Sequence, residues 1–194
     1  LSKKKRSIDK LPLNKIYHAL DGLNLFGITQ ATPLIWSFLN KFYQLKLNDN
    51  KRHKNTLVSF FENLENYHFV NNFILDRVGN EVEKLYASYA RDFSKQVSDF
   101  EFTRLLQHFY RKLKDQVSTK EEFVAKFKEL EYIDSGKNID LYYIFDRFNN
   151  VDSKGDKVSP SDRQKIYHAY IPVKKTDIEI EHWFPRAKAK DTNN

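Results

Sequence analysis

Residues 178–186, with the sequence IEIEHWFPR, bring together residue types that could do chemistry. Glu181 directly precedes His182, and Pro185 follows three residues later. A neutral imidazole accepts a proton near neutral pH, and carboxylate oxygens are the ligands that a hard divalent cation prefers. A pattern this short also arises by chance, so the elements around it decide its meaning.

The elements immediately around this pattern are predicted to be strands. Residues 165–171 (KIYHAYI) and 176–183 (TDIEIEHW) alternate in polarity, and the prolyl and lysyl residues between them suit a turn. In a regular strand Glu181 and His182 point to opposite faces, so both reach one site only if the strand ends or bulges there. Glu179 and Glu181 share a face and form an alternative acidic pair. His168, on the first strand, is the only other histidine expected to approach His182.

The preceding 150 residues show the periodicity of consecutive helices. Apolar side chains recur at helical spacing within residues 11–26, 34–43 and 56–75, with a possible break near Asn66 and a polar turn at residues 48–54. The second of these segments carries a wide apolar stripe, formed by Leu34, Ile35, Phe38, Leu39, Phe42 and Tyr43. A further helix is predicted at residues 138–149. The fold class is therefore mainly α, with about seven helices in a bundle or array before a short β-hairpin.

Several helix starts have recognisable capping signals. Thr32 followed by Pro33 suits a helix start, because threonine can cap free N–H groups and proline fits the first turn. A further start is predicted at Asn80, before an apolar helix. Two more are predicted to be capping boxes, in which a hydroxyl residue precedes a glutamate by three positions: Ser98 with Glu101, and Thr119 with Glu122.

The composition changes after Asn150. Residues 151–161 (VDSKGDKVSPS) contain glycine, proline and polar turn formers and predict a domain boundary. The expected organisation is a helical domain at residues 1–150 and a second domain that starts at residues 151–194.

The order of these elements resembles one bacterial nuclease family. An acidic residue, a histidine, two apolar residues and a proline are similar to the first motif of HNH nucleases. In the GmrSD-like modification-dependent restriction family, a long helical region ends in a helix similar to residues 141–150 (LYYIFDRFNN), and a variable turn and a strand with the motif follow. Residues 67–93 also resemble the helical middle of that family, with an Arg-x-x-Gly unit before an apolar helix.

The resemblance implies a function and roles for individual residues. An HNH site is a ββα unit around one divalent cation, Mg²⁺ or Mn²⁺. Carried over by position, His182 is the general base and Glu181 the metal-associated acid. Arg186 is expected to touch a phosphate, and Pro185 to turn the chain out of the strand.

The family also needs a second strand and a helix with further ligands, and only twelve residues follow His182. The nuclease domain is therefore expected to continue beyond residue 194, and this chain alone is expected to be inactive. The family's nucleotide-dependent sensor is expected on another domain or subunit.

Composition narrows the class of protein. The 194 residues carry 33 Lys+Arg against 26 Asp+Glu, a net charge of +7, which favours a polyanion such as DNA as partner but also fits a generic basic surface. The chain has no cysteine, which excludes disulfides and thiolate metal sites. No apolar run is long enough to cross a bilayer, and no secretory signal is visible, so a cytoplasmic location is expected.

Two functions of different classes remain open at this point. The first is a fragment of a metal-dependent HNH DNA endonuclease that acts in defence against foreign or modified DNA. The second is a non-catalytic helical module that binds proteins or nucleic acid. The remaining histidines lack ligand spacing and are expected to be surface or core residues: His18, His53, His68, His108 and His168.

Overall fold

The computed structural model describes residues 13–53, 55–131, 141, 143 and 144 of the chain. The chain divides into two compact units, Leu1–Glu131 and Tyr132–Asn194. The fold below is that of the first unit. In the second unit, Leu141, Tyr143 and Ile144 are helical, as expected for a helix at residues 138–149. The predicted β-hairpin lies outside the described residues.

The described part of the first unit is helical, which confirms a mainly α fold there. Two short 3₁₀ helices, Leu47–Asp49 and Lys51–His53, occupy the predicted polar turn, and a π-helical turn, Phe69–Ile74, extends the third helix. The α-helices are α1 (Leu13–Leu25), α2 (Thr32–Gln44), α3 (Thr56–His68), α4 (Asn80–Lys95), α5 (Asp99–Asp115) and α6 (Lys120–Phe127). The break predicted near Asn66 is confirmed two residues further on, where α3 ends at His68 and the π-helical turn begins.

The capping predictions have mixed outcomes. Thr119 and Glu122 form the full reciprocal capping box at α6. At α5 the Ser98 hydroxyl accepts a hydrogen bond from the Glu101 backbone N–H, at 3.2 Å. The Glu101 carboxylate accepts hydrogen bonds from the Ser98 hydroxyl and the Val97 N–H. It does not accept one from the Ser98 N–H, which a full capping box requires. The prediction that Thr32 caps α2 is wrong, because Thr32 is already the first helical residue and Ala31 occupies the cap position.

An aromatic core joins α2, α3, α4 and α5. The Phe38 ring stacks on Phe60 with 3.7 Å between centroids and 5° between planes. Phe38 also lies near Phe93 and Phe102, and Phe60 lies near Phe109. All five rings are fully buried. The edge-on contact of Phe38 with Phe93 is of a kind that adds stabilisation beyond the area it buries.

The predicted apolar stripe of α2 is buried at Leu34, Phe38 and Phe42, while Tyr43 is 51% exposed. One step along a helix rotates the side chain by about 100°, which turns Tyr43 away from the core that Phe42 enters. In the packing, α2 lies against α4 and α1 against α3, while α5 contacts both α3 and α4. None of the described helices combines the length and apolar character needed to cross a bilayer.

Candidate functional site

The residues predicted to form a nuclease site lie outside the described residues. This holds for Glu181, His182 and Arg186, and also for the alternative acid Glu179 and for His168. Their proposed roles therefore stay predictions. Among the described residues, no three His, Asp or Glu side chains lie together as a metal site would require.

Four of the other histidines are described, and each has a polar neighbour. His18 and Glu65 are both buried, with 3.7 Å between Nδ1 and the carboxylate. The His53 Nε2 lies 2.7 Å from the Asp99 carboxylate in the first turn of α5. This contact joins the 3₁₀ segment before α3 to the start of α5.

His68 is at the centre of a buried hydrogen-bond chain. Its Nε2 lies 2.9 Å from the Tyr86 hydroxyl, and its Nδ1 lies 2.6 Å from the Asn72 side-chain oxygen. The Asn72 amide donates to the Arg77 carbonyl at 2.7 Å. Because the Asn72 oxygen only accepts, Nδ1 carries the proton, and Nε2 accepts from the hydroxyl of Tyr86.

Burial lowers the pKa of His68 to about 4, against a smaller opposing effect of the hydrogen bond with Asn72. The imidazole is therefore neutral at pH 7, as the hydrogen-bond directions require. The chain of bonds ends on a backbone carbonyl in the loop that includes Asp76, whose φ is +52°. We interpret this network as structural: it fixes the π-helical turn and the loop after it.

The same turn attaches α6. The Asn71 side-chain oxygen accepts from the backbone N–H and the hydroxyl of Ser118, and its amide donates to the Gln116 carbonyl. Arg77 contacts the Glu122 carboxylate at 2.8 Å. The backbone of Thr119 and then its hydroxyl donate hydrogen bonds that hold the pKa of Glu122 below its usual value, and Arg77 adds to this. The polar residues of the turn therefore position the α5–α6 connection.

The outer face of α5 is a cationic surface. Residues 102–114 contain four arginines and lysines and no carboxylate. Arg104, His108 and Arg111 follow at intervals of four and three residues, so they lie on one face of the helix. All three are exposed. We call them, together with Lys112 and Lys114, the α5 cationic face.

A groove of about 300 Å³ lies along the α5 cationic face. Its lining is Gln96, Glu101, Arg104, Leu105, His108 and Arg111. The buried Tyr89 of α4 contacts one lining residue, with 2.6 Å between its hydroxyl and Nδ1 of His108. Burial raises the pKa of Tyr89, nearby Asp92 raises it further, and Arg111 lowers it. Tyr89 therefore stays a neutral hydroxyl that positions the His108 ring.

Neither the His68 network nor the α5 cationic face was among the predicted site residues. The sequence did contain a signal for the α5 cationic face, since eleven consecutive residues, 104–114, contain four cations and no acid. The network offered no comparable signal, because His68, Asn72 and Tyr86 are polar residues whose pairing depends on how α3 and α4 pack.

Comparison of the chain with protein-family models, with curated protein sequences and with solved structures finds no match.

Proposed function

We propose that this chain is part of a metal-dependent HNH DNA endonuclease that acts in defence against foreign or modified DNA. The observation that carries the proposal is the sequence of residues 178–186, with Glu181 and His182 beside a proline, after a long helical region. The helical fold of the described residues supports this order of elements. The net charge of +7 supports DNA as the partner.

In this proposal the chain's own residues have defined tasks. His182 accepts a proton from the attacking water, as a neutral imidazole can do near neutral pH. The carboxylate of Glu181 suits Mg²⁺ or Mn²⁺, which would stabilise the charge that develops on the phosphate. Arg186 contacts a DNA phosphate. The helical unit supports the nuclease domain, and the nucleotide-dependent sensor is a separate domain or subunit.

The test is plasmid cleavage by the complete gene product in Mg²⁺ or Mn²⁺, on modified and unmodified DNA. Replacing His182 with alanine should abolish metal-dependent nicking, at a cost of at least about 100-fold in rate if His182 is the general base. Thr176→Ala is the matched control, since it removes a polar side chain from the start of the same predicted strand, six residues before His182, and should keep most of the activity. Equal cleavage by the wild type and the His182→Ala variant would refute the assignment.

A second candidate function, a helical protein-interaction module, is favoured by one surface of α2. Trp36 is 73% exposed and Tyr43 is 51% exposed, and their spacing of seven residues puts them on the same side of the helix. Exposed aromatic residues of this kind are enriched at protein interfaces. If the complete protein cleaves no DNA, this module becomes the better account.

A further inference from the structure

We propose that the α5 cationic face binds the phosphate backbone of duplex DNA. This inference rests on the function proposed above and deepens it, because it locates a DNA contact on the helical unit, at residues other than the motif at residues 178–186. The observations that support it are charge, exposure, spacing and the two grooves beside α5.

The first observation is the concentration of charge that is not neutralised locally. The described ion pairs of the helical unit use cations elsewhere, such as Arg77 with Glu122 and Lys126 with Glu129. Within the described part of the chain, no ion pair involves a cation of the α5 cationic face: Arg104, Arg111, Lys112 and Lys114. Such cations are the groups that bind phosphates and release counterions.

The acidic groups near this face are fewer than its cations. The Glu101 carboxylate, at the start of α5, accepts hydrogen bonds from the Ser98 hydroxyl and the Val97 N–H. Asp92 on α4 is only partly exposed. Asp115, the exposed last residue of α5, follows Arg111 by four positions and shares its side of the helix. Between Glu101 and Asp115 the helix carries four cations and no carboxylate, so the positive charges outnumber the acids.

The dimensions of the stretch favour an extended anion over a single ion. Ten residues separate Arg104 from Lys114, which is about 15 Å along the helix axis. Each strand of duplex DNA presents a phosphate about every 3.4 Å of the duplex axis, so about 15 Å measured along that axis contains about four or five phosphates of one strand. Helix α5 is thus long enough to contact several phosphates at once.

The grooves on both sides of α5 leave the cations accessible. Arg111 borders the groove that also contains Arg104 and His108, and it borders a second cavity of about 330 Å³ between α3 and α5. Lys114 borders the second cavity, where the facing polar residues of α3 include the uncharged amides Asn63 and Asn66. Arg111 is therefore reachable from either side of the helix.

The contact with Tyr89 sets which ring nitrogen of His108 carries the proton and can donate to a phosphate. When the Tyr89 hydroxyl donates to Nδ1 of His108, the ring proton is on Nε2. That N–H can donate to a phosphate oxygen without the ring becoming charged. The histidine then adds a directed hydrogen bond between the two arginines.

The experiment is titration of the full 194-residue chain with a short labelled duplex, followed by fluorescence anisotropy between about 50 and 200 mM salt. The test variant is a double substitution, Arg104→Gln together with Arg111→Gln. The matched control is Lys84→Gln with Arg91→Gln, which removes two exposed cations, also seven residues apart, from α4. Circular dichroism of both variants checks that the fold is kept.

We expect the Arg104→Gln, Arg111→Gln variant to bind duplex DNA at least about tenfold more weakly near 100 mM salt, and its salt slope to fall by about two. The α4 control should lose less than about threefold and keep nearly the same slope. The Arg104→Lys, Arg111→Lys variant should retain most of the binding, because lysine also binds phosphate as a point charge. Equal losses in the α4 control and the glutamine variant would overturn the site.

Three further outcomes separate this proposal from others. Binding of polyglutamate as tight as that of duplex DNA, with the same dependence on Arg104 and Arg111, would overturn the assignment of the ligand. Cleavage reports on the nuclease proposal separately: DNA binding that depends on these arginines, in a complete protein that never cuts DNA, would keep this site and reject the nuclease. Cleavage and binding that are both indifferent to Arg104 and Arg111 would reject this site and keep the nuclease.

Discussion

Helices α5 and α6 begin with the same sequence signal but are attached to the molecule in different ways. Each starts with a hydroxyl residue that accepts from the glutamate N–H three positions later. Helix α5 then buries four apolar side chains: Phe102, Leu106, Phe109 and Leu113. Helix α6 buries none. A cap therefore fixes where a helix begins, and the residues after it decide what keeps the helix in place.

The difference extends to the charges. On α5, apolar packing secures the helix, and its cations are left available on the outer face. On α6 a charged group is used for attachment, in the contact of Glu122 with Arg77, while Lys126 pairs locally with Glu129 three positions later. We infer that α5 is suited to bind an anionic partner because its attachment, which uses apolar side chains and the contact of Asp99 with His53, does not consume its cations.

The largest expected effect comes from removing an apolar anchor of α5. Phe109 is fully buried among Phe60, Tyr86 and Tyr89. Phe109→Ala should lower the free energy of unfolding by about 3–5 kcal/mol, because a buried ring is replaced by a cavity. Val124→Ala on α6, where the side chain is 37% exposed, should cost less than about 1 kcal/mol. Chemical denaturation measures both, and similar losses would refute the contrast.

The next effect concerns the polar network beside the π-helical turn and has a definite pH dependence. The pKa of His68 is about 4 in the folded protein and about 6.5 in the unfolded chain. Between these values the unfolded chain binds the extra proton, so stability is highest above pH 6.5 and falls as the pH is lowered toward 4. The loss should reach about 3 kcal/mol.

Urea unfolding at several pH values measures this loss, and two variants identify its source. His68→Gln removes the titrating group, so its stability should change less between pH 7 and pH 4 than that of the wild type. Tyr86→Phe removes a hydrogen bond but leaves His68 buried, so it should lower stability at pH 7 and keep the pH dependence. An unchanged pH profile in the His68→Gln variant would contradict the role of this histidine.

The contrast between the two helices also explains which features the sequence could predict. The starts of α5 and α6 are local, since a cap involves residues three positions apart, and both were predicted. The apolar face of α5 follows from periodicity within one segment. Thr32 failed as a cap because the turn at residues 29–31 places Ala31 before the helix, with the Thr32 N–H bonded to the Thr29 carbonyl.

The π-helical turn could not be predicted in the same way. Its residues, FVNNFI, have no distinctive local pattern, and the polar partners of Asn71 are Gln116 and Ser118, more than forty positions along the chain. For the candidate nuclease residues, the prediction rests on the order of elements and stays a prediction. The α5 cationic face was visible as a charge run, but its exposure and its lack of described ion pairs required the packed helices.

The smallest effect tests the caps themselves, where the two helices look most alike. Ser98→Ala should lower the global free energy of unfolding by about 1 kcal/mol, because α5 is part of the core and unfolds with it. Thr119→Ala should leave the global value nearly unchanged and instead speed amide hydrogen exchange in α6, since a helix without buried side chains can open by itself. Ser94→Ala, an exposed serine within α4, is the control and should do neither. If Thr119→Ala lowered the global stability as much as Ser98→Ala, α6 would belong to the same cooperative unit as α5. The contacts of Arg77 with α6 and of Asn71 with the α5–α6 connection would then be as important to the fold as the aromatic core.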